Sequence, residues 1–518
     1  MLKCFRNLSP NLKSLGNDLL RARGFSVAAA LSTASGDCLS TMVPELCQAT
    51  LDAINNDASD LVKVTSIRGL QEYFRTLSRT QAEGFQVKTV AVLSAFIATQ
   101  DPEELKEGEE LLDSLVQTLR DAIMAAPEHA LGHPALDLLF TLGSYGANNF
   151  QTCTLVEEGL ESVAAAMADL GADAYAQLCS KVLPSLTGAL DVGDMTAESA
   201  LSDLALRLLS VLAENGLKPL PERFVATIMP KLYRLIFSNV DFNLHQVATV
   251  VIKHILVRDA EQIFSWQDPE TNKSGLEIVL LIIDRLLSPD IEDISGAEVG
   301  GLAVELVEKA GFGRLGPFLS QLLEVVAIRL STATHAIMIQ NLVLVFARLC
   351  LANAHDVVEF LSQVRVNGPS GGTGLEVVMR KWLENSVNFA GYEEIRQNVV
   401  ALGNVYKLHD ERLSNIQVQG DLIVGNTSRI KTRSQSKKEP DQYSIVSAPL
   451  KLLKVLIAEL VFPSSPTRST IQKKSGDGHG SSEGDDGDWE DVPNAFLDLG
   501  SPTTRQGAFK TDGLAGSH

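Results

Sequence analysis

A single tryptophan set among carboxylates near the C-terminal end is the strongest sign of recognition chemistry in the sequence. Trp489 has no basic residue and no apolar pattern around it, and its acidic neighbours are Glu483, Asp485, Asp486, Asp488, Glu490 and Asp491. An indole ring can bury itself on a partner while flanking carboxylates meet lysine and arginine. We therefore predict that this acidic loop binds a basic protein cargo. An inert acidic tail is the alternative, because so charged a segment does not fold alone.

A basic run precedes the acidic loop along the chain. No acid lies between residues 429 and 438, and the positive charges are Arg429, Lys431, Arg433, Lys437 and Lys438. Such a run cannot bury itself, so it is expected to be exposed. We predict that it is a recognition segment for an acidic patch on a partner.

Two glycine-rich motifs resemble nucleotide-binding loops only superficially. Gly311–Gly316 has the spacing GxGxxG, but the preceding residues have a helical pattern, whereas a dinucleotide site needs strand, turn and helix in that order. The stretch 368–374 lacks the Lys-Ser/Thr ending of a phosphate-binding loop. Both are therefore interpreted as turns between helices, and no cofactor is predicted.

The histidines and cysteines show no spacing suited to a metal. His129 and His133 are four residues apart, but Gly132 and Pro134 break the helix that would place them on one face. The six cysteines form no CxxC motif and no cluster with histidine, which disfavours both zinc and a disulfide framework. Because no nucleophile, base and orienting acid can be assembled either, we predict no metal site and a protein that is not an enzyme.

The bulk of the chain has the pattern of paired helices. From about residue 39 to 408, apolar segments with helical spacing alternate with Asp, Asn, Gly or Pro punctuation, and strand signals are nearly absent. Each helix pair takes about 40 residues, the size of a HEAT or armadillo unit. Stacked hairpins of this kind bury a continuous core only when several stand side by side. The predicted fold is all-α, an α-solenoid of HEAT-like helical repeats.

The composition shifts divide the chain into five parts. They are an irregular or targeting-like segment 1–37, a HEAT-repeat solenoid 38–428, a basic linker 429–447, a C-terminal helix 448–462 and a disordered acidic tail 463–518. In the C-terminal helix, Leu453, Leu456, Ile457 and Leu460 line one face. That face is expected to require a covering neighbour.

Charge and hydropathy limit the classes of partner. The net charge of −20 disfavours direct binding to nucleic acid and is suited to basic partners or to solubility. No window reaches the ~18 uninterrupted apolar residues of a membrane span, so no membrane association is predicted. The first 37 residues are basic and serine-rich, which is also typical of an organelle transit peptide. Mitochondrial targeting is therefore a minor alternative.

Several stretches, taken in order, resemble one family. The run 429–437 follows Asp410–Gly420 and precedes Ala448–Lys454, and upstream lie Gln340–Leu349, Leu375–Met379 with Trp382, and the loop at Trp266. This arrangement, with the acidic loop after it, resembles the C-terminal region of karyopherin-β nuclear transport receptors of the importin 9 type. The resemblance is good from about residue 220 to 491 and architectural before that. Receptors of that family are longer, so a truncated form that lacks the Ran-binding end is expected.

The resemblance implies HEAT repeats, shuttling between cytoplasm and nucleus, and import of basic cargo such as core histones and ribosomal proteins. It also implies nucleoporins and the GTPase Ran as partners in the full-length family, with the acidic loop in cargo binding and the basic run contacting an acidic patch or Ran. The alternative function is a generic helical-repeat scaffold or regulatory subunit without transport activity.

Overall fold

The computed structural model describes residues 17–34, 41–191, 195–238, 242–316, 318–366, 372–423 and 442–461. The chain divides into two compact units. Unit 1 comprises Met1–Val345 and Ser362–Val378, and unit 2 comprises Phe346–Leu361 and Met379–His518. Helices dominate both units, which confirms the predicted all-α class.

The helices of unit 1 succeed one another with short connections. They are α1 (Asp18–Ala34), α2 (Val43–Asn56), α3 (Asp60–Phe74), α4 (Arg79–Ile97), α5 (Pro102–Glu107), α6 (Glu109–Ala125), α7 (Ala135–Tyr145), α8 (Phe150–Leu170), α9 (Ala172–Gly188), α10 (Met195–Asn215), α11 (Phe224–Phe237), α12 (Phe242–Ser265), α13 (Gly275–Leu287), α14 (Val299–Leu315) and α15 (Phe318–Thr332). The next two helices, α16 (Ala336–Gln363) and α17 (Gly374–Asn385), have residues assigned to each unit.

Unit 1 is built as two layers of helices. Each helix of the first layer packs against the next member of that layer, and the members are α1, α3, α6, α8, α10, α12 and α14. The second layer consists of α2, α4, α7, α9, α11, α13 and α15, which alternate with the first along the chain and pack across it. This is the architecture of stacked helical hairpins, and it confirms the predicted HEAT-like solenoid.

Helix α13 shows how the sequence specifies one member of this array. Ser274 caps its N-terminus: the Ser274 hydroxyl accepts from the Glu277 N–H at 3.3 Å, and the Glu277 carboxylate accepts from the Ser274 N–H at 2.8 Å. Residues one turn apart, Ile278, Ile282 and Leu286, are fully buried. The capping box fixes where the helix begins, and the 3.6-residue spacing directs one apolar face into the core.

A buried ion pair ties the turns between repeats together. The Arg329 guanidinium donates to the Ile291 carbonyl at 3.0 Å and to Asp293 at 2.6 Å. The other Asp293 oxygen accepts from the N–H groups of Thr334 and His335 at 2.6 and 2.8 Å. Burial by itself raises the pKa of Asp293, but these hydrogen bonds outweigh it and lower that pKa to about 2. Asp293 is therefore ionised and joins its own loop to helix α15 and to the turn that follows α15.

Unit 2 ends in a small mixed structure. After the 3₁₀ turn Ser386–Asn388 come α18 (Tyr392–Lys407), α19 (Glu411–Ser414), the strands β3 (Gln417–Leu422) and β4 (Tyr443–Ser447), and α20 (Ala448–Val461). The strands pair antiparallel, and α20 packs on them and on α18. Trp382 is buried, and its indole N–H donates to the Asn398 side chain at 2.5 Å. Trp382 is thus a packing residue, as its apolar context indicates.

Three of the predicted segments contain secondary structure that the sequence analysis did not predict. Helix α1 lies inside the segment 1–37, which was predicted to be irregular or targeting-like. Two short strands, β1 (Arg365–Val366) and β2 (Gly372–Thr373), and then β3, lie inside the predicted all-helical solenoid, and β4 lies inside the predicted linker 429–447. Pattern analysis missed β3 because Gln417–Leu422 contains glycine and charge, and its pairing partner is distant in sequence.

One described helix, α16, is long and apolar enough to cross a membrane by length and composition alone. Half of its most apolar window is buried within the protein, and Asn353 interrupts it with φ −154° and ψ 93°. A single such helix is weak evidence for a membrane span, because the core helix of a soluble protein can have the same length and composition.

Candidate functional site

The two predicted recognition segments lie outside the described residues. These are the acidic loop with Glu483, Asp485, Asp486, Asp488, Trp489, Glu490 and Asp491, and the basic run with Arg429, Lys431, Arg433, Lys437 and Lys438. Their predicted roles remain predictions. The structure does describe the residues on each side of the basic run and the helix before the acidic loop.

The strands β3 and β4 hold the two ends of the stretch 424–441 close together. The Ile423 N–H donates to the Gln442 carbonyl at 2.7 Å, which continues the pairing of the two strands. The ribbon is fixed to α20 by an ion pair between Asp421 and Lys454, and the Lys451 ammonium donates to the Gly420 carbonyl at 3.3 Å. The basic run is therefore inserted between two points that are anchored on α20.

A series of polar contacts joins successive first-layer helices of unit 1; we call it the charged ladder. It consists of side chains on α3, α6, α8, α10, α12 and α14, namely Arg68, Glu110, Asp113, Arg120, Asp121, Glu157, Glu158, Asp203, Arg207, Glu214, Lys253, His254 and Glu298, with the last at the start of α14. Most of these positions lie inside the helices beside the buried apolar faces, and Glu110, Glu214 and Glu298 lie at helix ends, so the repeat itself places them in register.

At the α3–α6 step, the Arg68 guanidinium donates to the Ser114 hydroxyl at 3.1 Å and lies 3.5 Å from Glu110. The buried Thr118 hydroxyl donates across the same step to the Ile67 carbonyl at 3.0 Å. A side chain of α6 is thus hydrogen-bonded to a backbone carbonyl of α3, which keeps the two helix axes close.

At the α6–α8 step, Arg120 forms an ion pair with Glu158 and lies 2.8 Å from Asp121 on its own helix. The Thr152 hydroxyl donates to Asp113 at 2.6 Å. Partial burial raises the pKa of Asp121, and Arg120 and Arg75 oppose that shift. Asp121 is therefore a partly desolvated carboxylate held beside two cations.

At the α8–α10 step, Arg207 bridges two acids. Its guanidinium lies 2.7 Å from Asp203 on the same helix and 3.5 Å from Glu157 on α8. Partial burial raises the pKa of Glu157, and Arg207 opposes the shift. The pairing compensates the desolvation of Glu157 only in part.

The last two steps pair a histidine and a lysine of α12 with acids. The Ser210 hydroxyl and His254 Nδ1 are 2.9 Å apart, and Glu214 lies 3.8 Å from the same nitrogen. Burial lowers the pKa of His254, while Glu214 opposes that shift. Both groups contact one ring nitrogen, so they do not form a relay through the ring of the kind that serine hydrolases use. At the α12–α14 step, the Lys253 ammonium lies 2.8 Å from Glu298.

The charged ladder exposes several carboxylates more than the cations beside them. The side chains of Glu110 and Glu158 are 93% and 42% exposed, whereas that of Arg120 is 15% exposed. These exposed carboxylates are therefore suited to binding additional cations, such as lysine and arginine of a partner. Sequence analysis missed the charged ladder. The signal available was acidic and basic residues recurring in every second amphipathic helix.

The described residues offer little for catalysis or metal binding. In the ranges given above, no group of three His, Cys, Asp or Glu could hold a metal ion. His133 Nε2 is 2.7 Å from the Gln86 side-chain oxygen, so His133 joins the loop 127–134 to α4. Burial raises the pKa of the Cys47 and Cys350 thiols to about 12, which makes them poor nucleophiles at neutral pH.

Gly311, inside the GxGxxG motif, has φ +64° within α14 and marks a kink.

A small groove lies between two second-layer helices. It measures about 340 Å³ and is walled by Leu280 and Leu281 of α13 and by Leu322 and Val325 of α15, with the half-exposed ring of Phe318 at its edge. Lys273 and Glu277 stand at its rim. The groove is suited to a single apolar or aromatic side chain of a partner.

Comparison with known proteins gives consistent matches. A family model described as importin-9 central HEAT repeats matches residues 4–147, where sequence analysis found only architectural resemblance. Importin subunit beta-5 of Schizosaccharomyces pombe is 28% identical over 437 residues, covering 84% of this chain and 41% of the relative. Importin subunit beta-5 of Saccharomyces cerevisiae is 28% identical over 369 residues, covering 69% and 35%. Importin-9 of Drosophila melanogaster is 25% identical over 321 residues, covering 61% and 30%.

The chain thus spans less than half the length of these relatives. The matches agree with one another, with the two-layer helical array and with the resemblance found in the sequence. In these comparisons the chain is similar to karyopherin-β proteins of the importin-9 type.

Proposed function

We propose that the chain is the cargo-binding part of a nuclear import receptor and that it binds basic proteins such as core histones and ribosomal proteins. The observation that supports this most is the charged ladder, whose exposed carboxylates lie on helices that succeed one another in a single layer. Relatives named importins support the transport role. In this proposal the receptor shuttles between cytoplasm and nucleus.

The binding mechanism is electrostatic and multivalent. Lysine and arginine of the cargo meet the exposed carboxylates Glu110, Glu158 and Glu214, which are spread over α6, α8 and α10. The acidic loop 483–491 adds six further acids and Trp489. Exposed charges of this kind are screened over ~8 Å at physiological ionic strength, so binding should weaken as salt rises.

The groove between α13 and α15 supports a second contact in the same process. An exposed apolar cleft on a repeat array can take a phenylalanine side chain from an extended peptide. We propose that nucleoporin peptides bind there, on second-layer helices, separately from cargo on the first layer. Replacing Leu281 with Asp should abolish capture of such a peptide and leave cargo binding unchanged.

The test is binding of the purified chain to a labelled core histone dimer by fluorescence anisotropy across a salt series. A ladder variant carries Glu110→Gln, Glu158→Gln and Glu214→Gln. Its matched control carries Glu222→Gln, Glu270→Gln and Glu324→Gln, which remove the same charge from exposed positions off the ladder. We expect the ladder variant to lose about tenfold in affinity or more and the control to lose less than about threefold.

Replacing the six acids from Glu483 to Asp491 with Ser or Asn tests the acidic loop in the same assay. Weaker histone binding would support its role, and unchanged affinity would remove the loop from the mechanism.

Adding GTP-loaded Ran tests the release step. Histone binding that is unchanged by Ran would mean that the cargo module works without its release switch. Absence of histone binding at low salt would overturn the proposal and favour a helical-repeat scaffold.

A further inference from the structure

Helix α20 presents apolar side chains on two opposite faces. On one face Ala448, Leu452 and Val455 are buried against the rest of unit 2. On the other face Leu450 and Leu453 are exposed, and Ile457 and Leu460 are 51% and 74% exposed. At 100° per residue these four side chains lie on one side of the helix and form a continuous row. We call this row the α20 stripe.

The composition of the α20 stripe is suited to docking of an apolar segment. An exposed row of four large aliphatic side chains within three helical turns is an uncommon arrangement on an isolated protein surface. It is about 15 Å long, from the rise of 1.5 Å per residue over residues 450–460. Lys454 lies next to the row, where it forms an ion pair with Asp421. An occupant that combines apolar side chains with an acid would match it.

The part of the chain beyond α20 contains such a segment. Among residues 463–518 the densest apolar stretch is Ala495–Leu499, in which Asp498 is the only polar residue. The residues between α20 and this apolar segment, 462–494, are rich in Ser, Gly and Asp. A linker of about 33 residues with this composition has a mean span of roughly 30 Å, so it reaches any point of the stripe.

We propose that the segment 495–499 of the same chain docks on the α20 stripe, with Phe496, Leu497 and Leu499 against the aliphatic row and Asp498 beside Lys454. Tethering favours this occupant over a second copy of the chain, because a linker of this length gives an effective concentration near the millimolar range.

Chemical cross-linking tests the docking without relying on cargo. All variants carry Cys4→Ser and Cys38→Ser, and the cysteines Cys47, Cys153, Cys179 and Cys350 are buried. One variant adds Ala458→Cys and Asn494→Cys, which leave the stripe and the docking segment intact. Its control adds Ala458→Cys and Ser481→Cys. A short bismaleimide is applied at low micromolar protein, and the intramolecular product is followed by mass spectrometry.

A free tether would cross-link position 481 at least as fast as position 494, because 481 is closer to α20 along the chain. Docking predicts that position 494 reacts at least about fivefold faster than 481. Adding Phe496→Ser and Leu499→Ser to the 494 variant should reduce its rate to that of the control. Circular dichroism of each variant verifies that the helices are retained.

Equal rates for positions 494 and 481 would overturn the proposal. A product that is mainly intermolecular and rises with protein concentration would also overturn it and would assign the stripe to a second copy. Neither outcome bears on histone binding, so failure of the docking and failure of the proposed function are distinguishable.

Discussion

The first helix layer of unit 1 and the last described helix of unit 2 use their surfaces in opposite ways. First-layer helices bury their apolar residues and expose charges that are paired with neighbours, as Arg207 is with Asp203 and Glu157. Helix α20 buries one apolar face and exposes another, where Ile457 and Leu460 lie. In a repeat array each helix is completed by the helices beside it. A charged, completed face is therefore suited to polar cargo, and an exposed apolar face is suited to an apolar segment.

The largest expected effect tests how strongly the array depends on its internal contacts. Arg329→Met leaves Asp293 ionised and nearly buried without its cation, which should cost about 3–5 kcal/mol in the free energy of unfolding. Urea unfolding followed by circular dichroism measures it. The double variant Arg329→Met with Asp293→Leu should recover part of the loss. A single variant within about 1 kcal/mol of the parent would contradict the structural role of this pair.

The next effect concerns the close approach of two helices. A Cβ atom at Gly300 of α14 would lie 2.2 Å from the backbone oxygen of Asn341. Gly300→Ala should therefore force the two helices apart and destabilise unit 1 by about 2–3 kcal/mol. Gly84→Ala on α4 is the matched control, because nothing lies within 4 Å of a Cβ there. Equal stabilities of the two variants would contradict this packing.

Acid unfolding should identify the Asp293 junction. The pKa of Asp293 is lowered from 3.8 to about 2, so its contribution of about 2 kcal/mol is present above pH 4 and is lost as the pH falls toward 2. Asp293→Asn should remove this part of the pH dependence. Unfolding free energies of parent and variant at pH 5, 4 and 3 measure the difference, which should shrink as the pH falls. A constant difference would contradict the assignment.

The charged ladder should contribute less to stability. Arg207→Met leaves two half-buried acids without their cation and should cost about 1 kcal/mol after allowance for solvent screening. Burial raises the pKa of Glu157, and removal of Arg207 should raise it further, which favours protonation of Glu157 at pH 5. The loss in unfolding free energy should therefore be greater at pH 8 than at pH 5. Thermal unfolding at the two pH values measures this. A loss independent of pH would remove Glu157 from the explanation.

The smallest effect belongs to the exposed pair on α20. Lys454→Met removes the partner of Asp421 and should change the unfolding free energy by no more than about 0.5 kcal/mol. Comparison of this loss with that of Arg207→Met distinguishes the contribution of a half-buried ion pair in the helix array from that of a surface pair. Similar losses for both would contradict the contrast between the two regions.

Sequence periodicity predicted most of the helical array because its helices depend on local signals. Helix α13, with its capping box and its buried Ile278 and Ile282, lies in the range 39–408 where paired helices were predicted. The ribbon of β3 and β4 was missed because its pairing joins residues separated by the stretch 424–441. The charged ladder was missed for a related reason: each rung joins residues about 40 positions apart, which no local pattern contains.

For α20, the sequence predicted an apolar face that needs a neighbour, and it included Leu453, Leu456, Ile457 and Leu460 in that face. The structure shows Ile457 and Leu460 exposed and places Leu452 and Val455 in the buried contact. The helix is apolar on both sides, so periodicity alone could not decide which side faces unit 2.

Hydrogen exchange of the chain with and without a core histone dimer tests the central claim most directly. If the charged ladder binds basic cargo, amides of α6, α8 and α10 in the first layer should gain protection, while those of α7, α9 and α11 in the second layer should not. Protection confined to the second layer, or absent from unit 1 when the dimer is bound, would contradict the account.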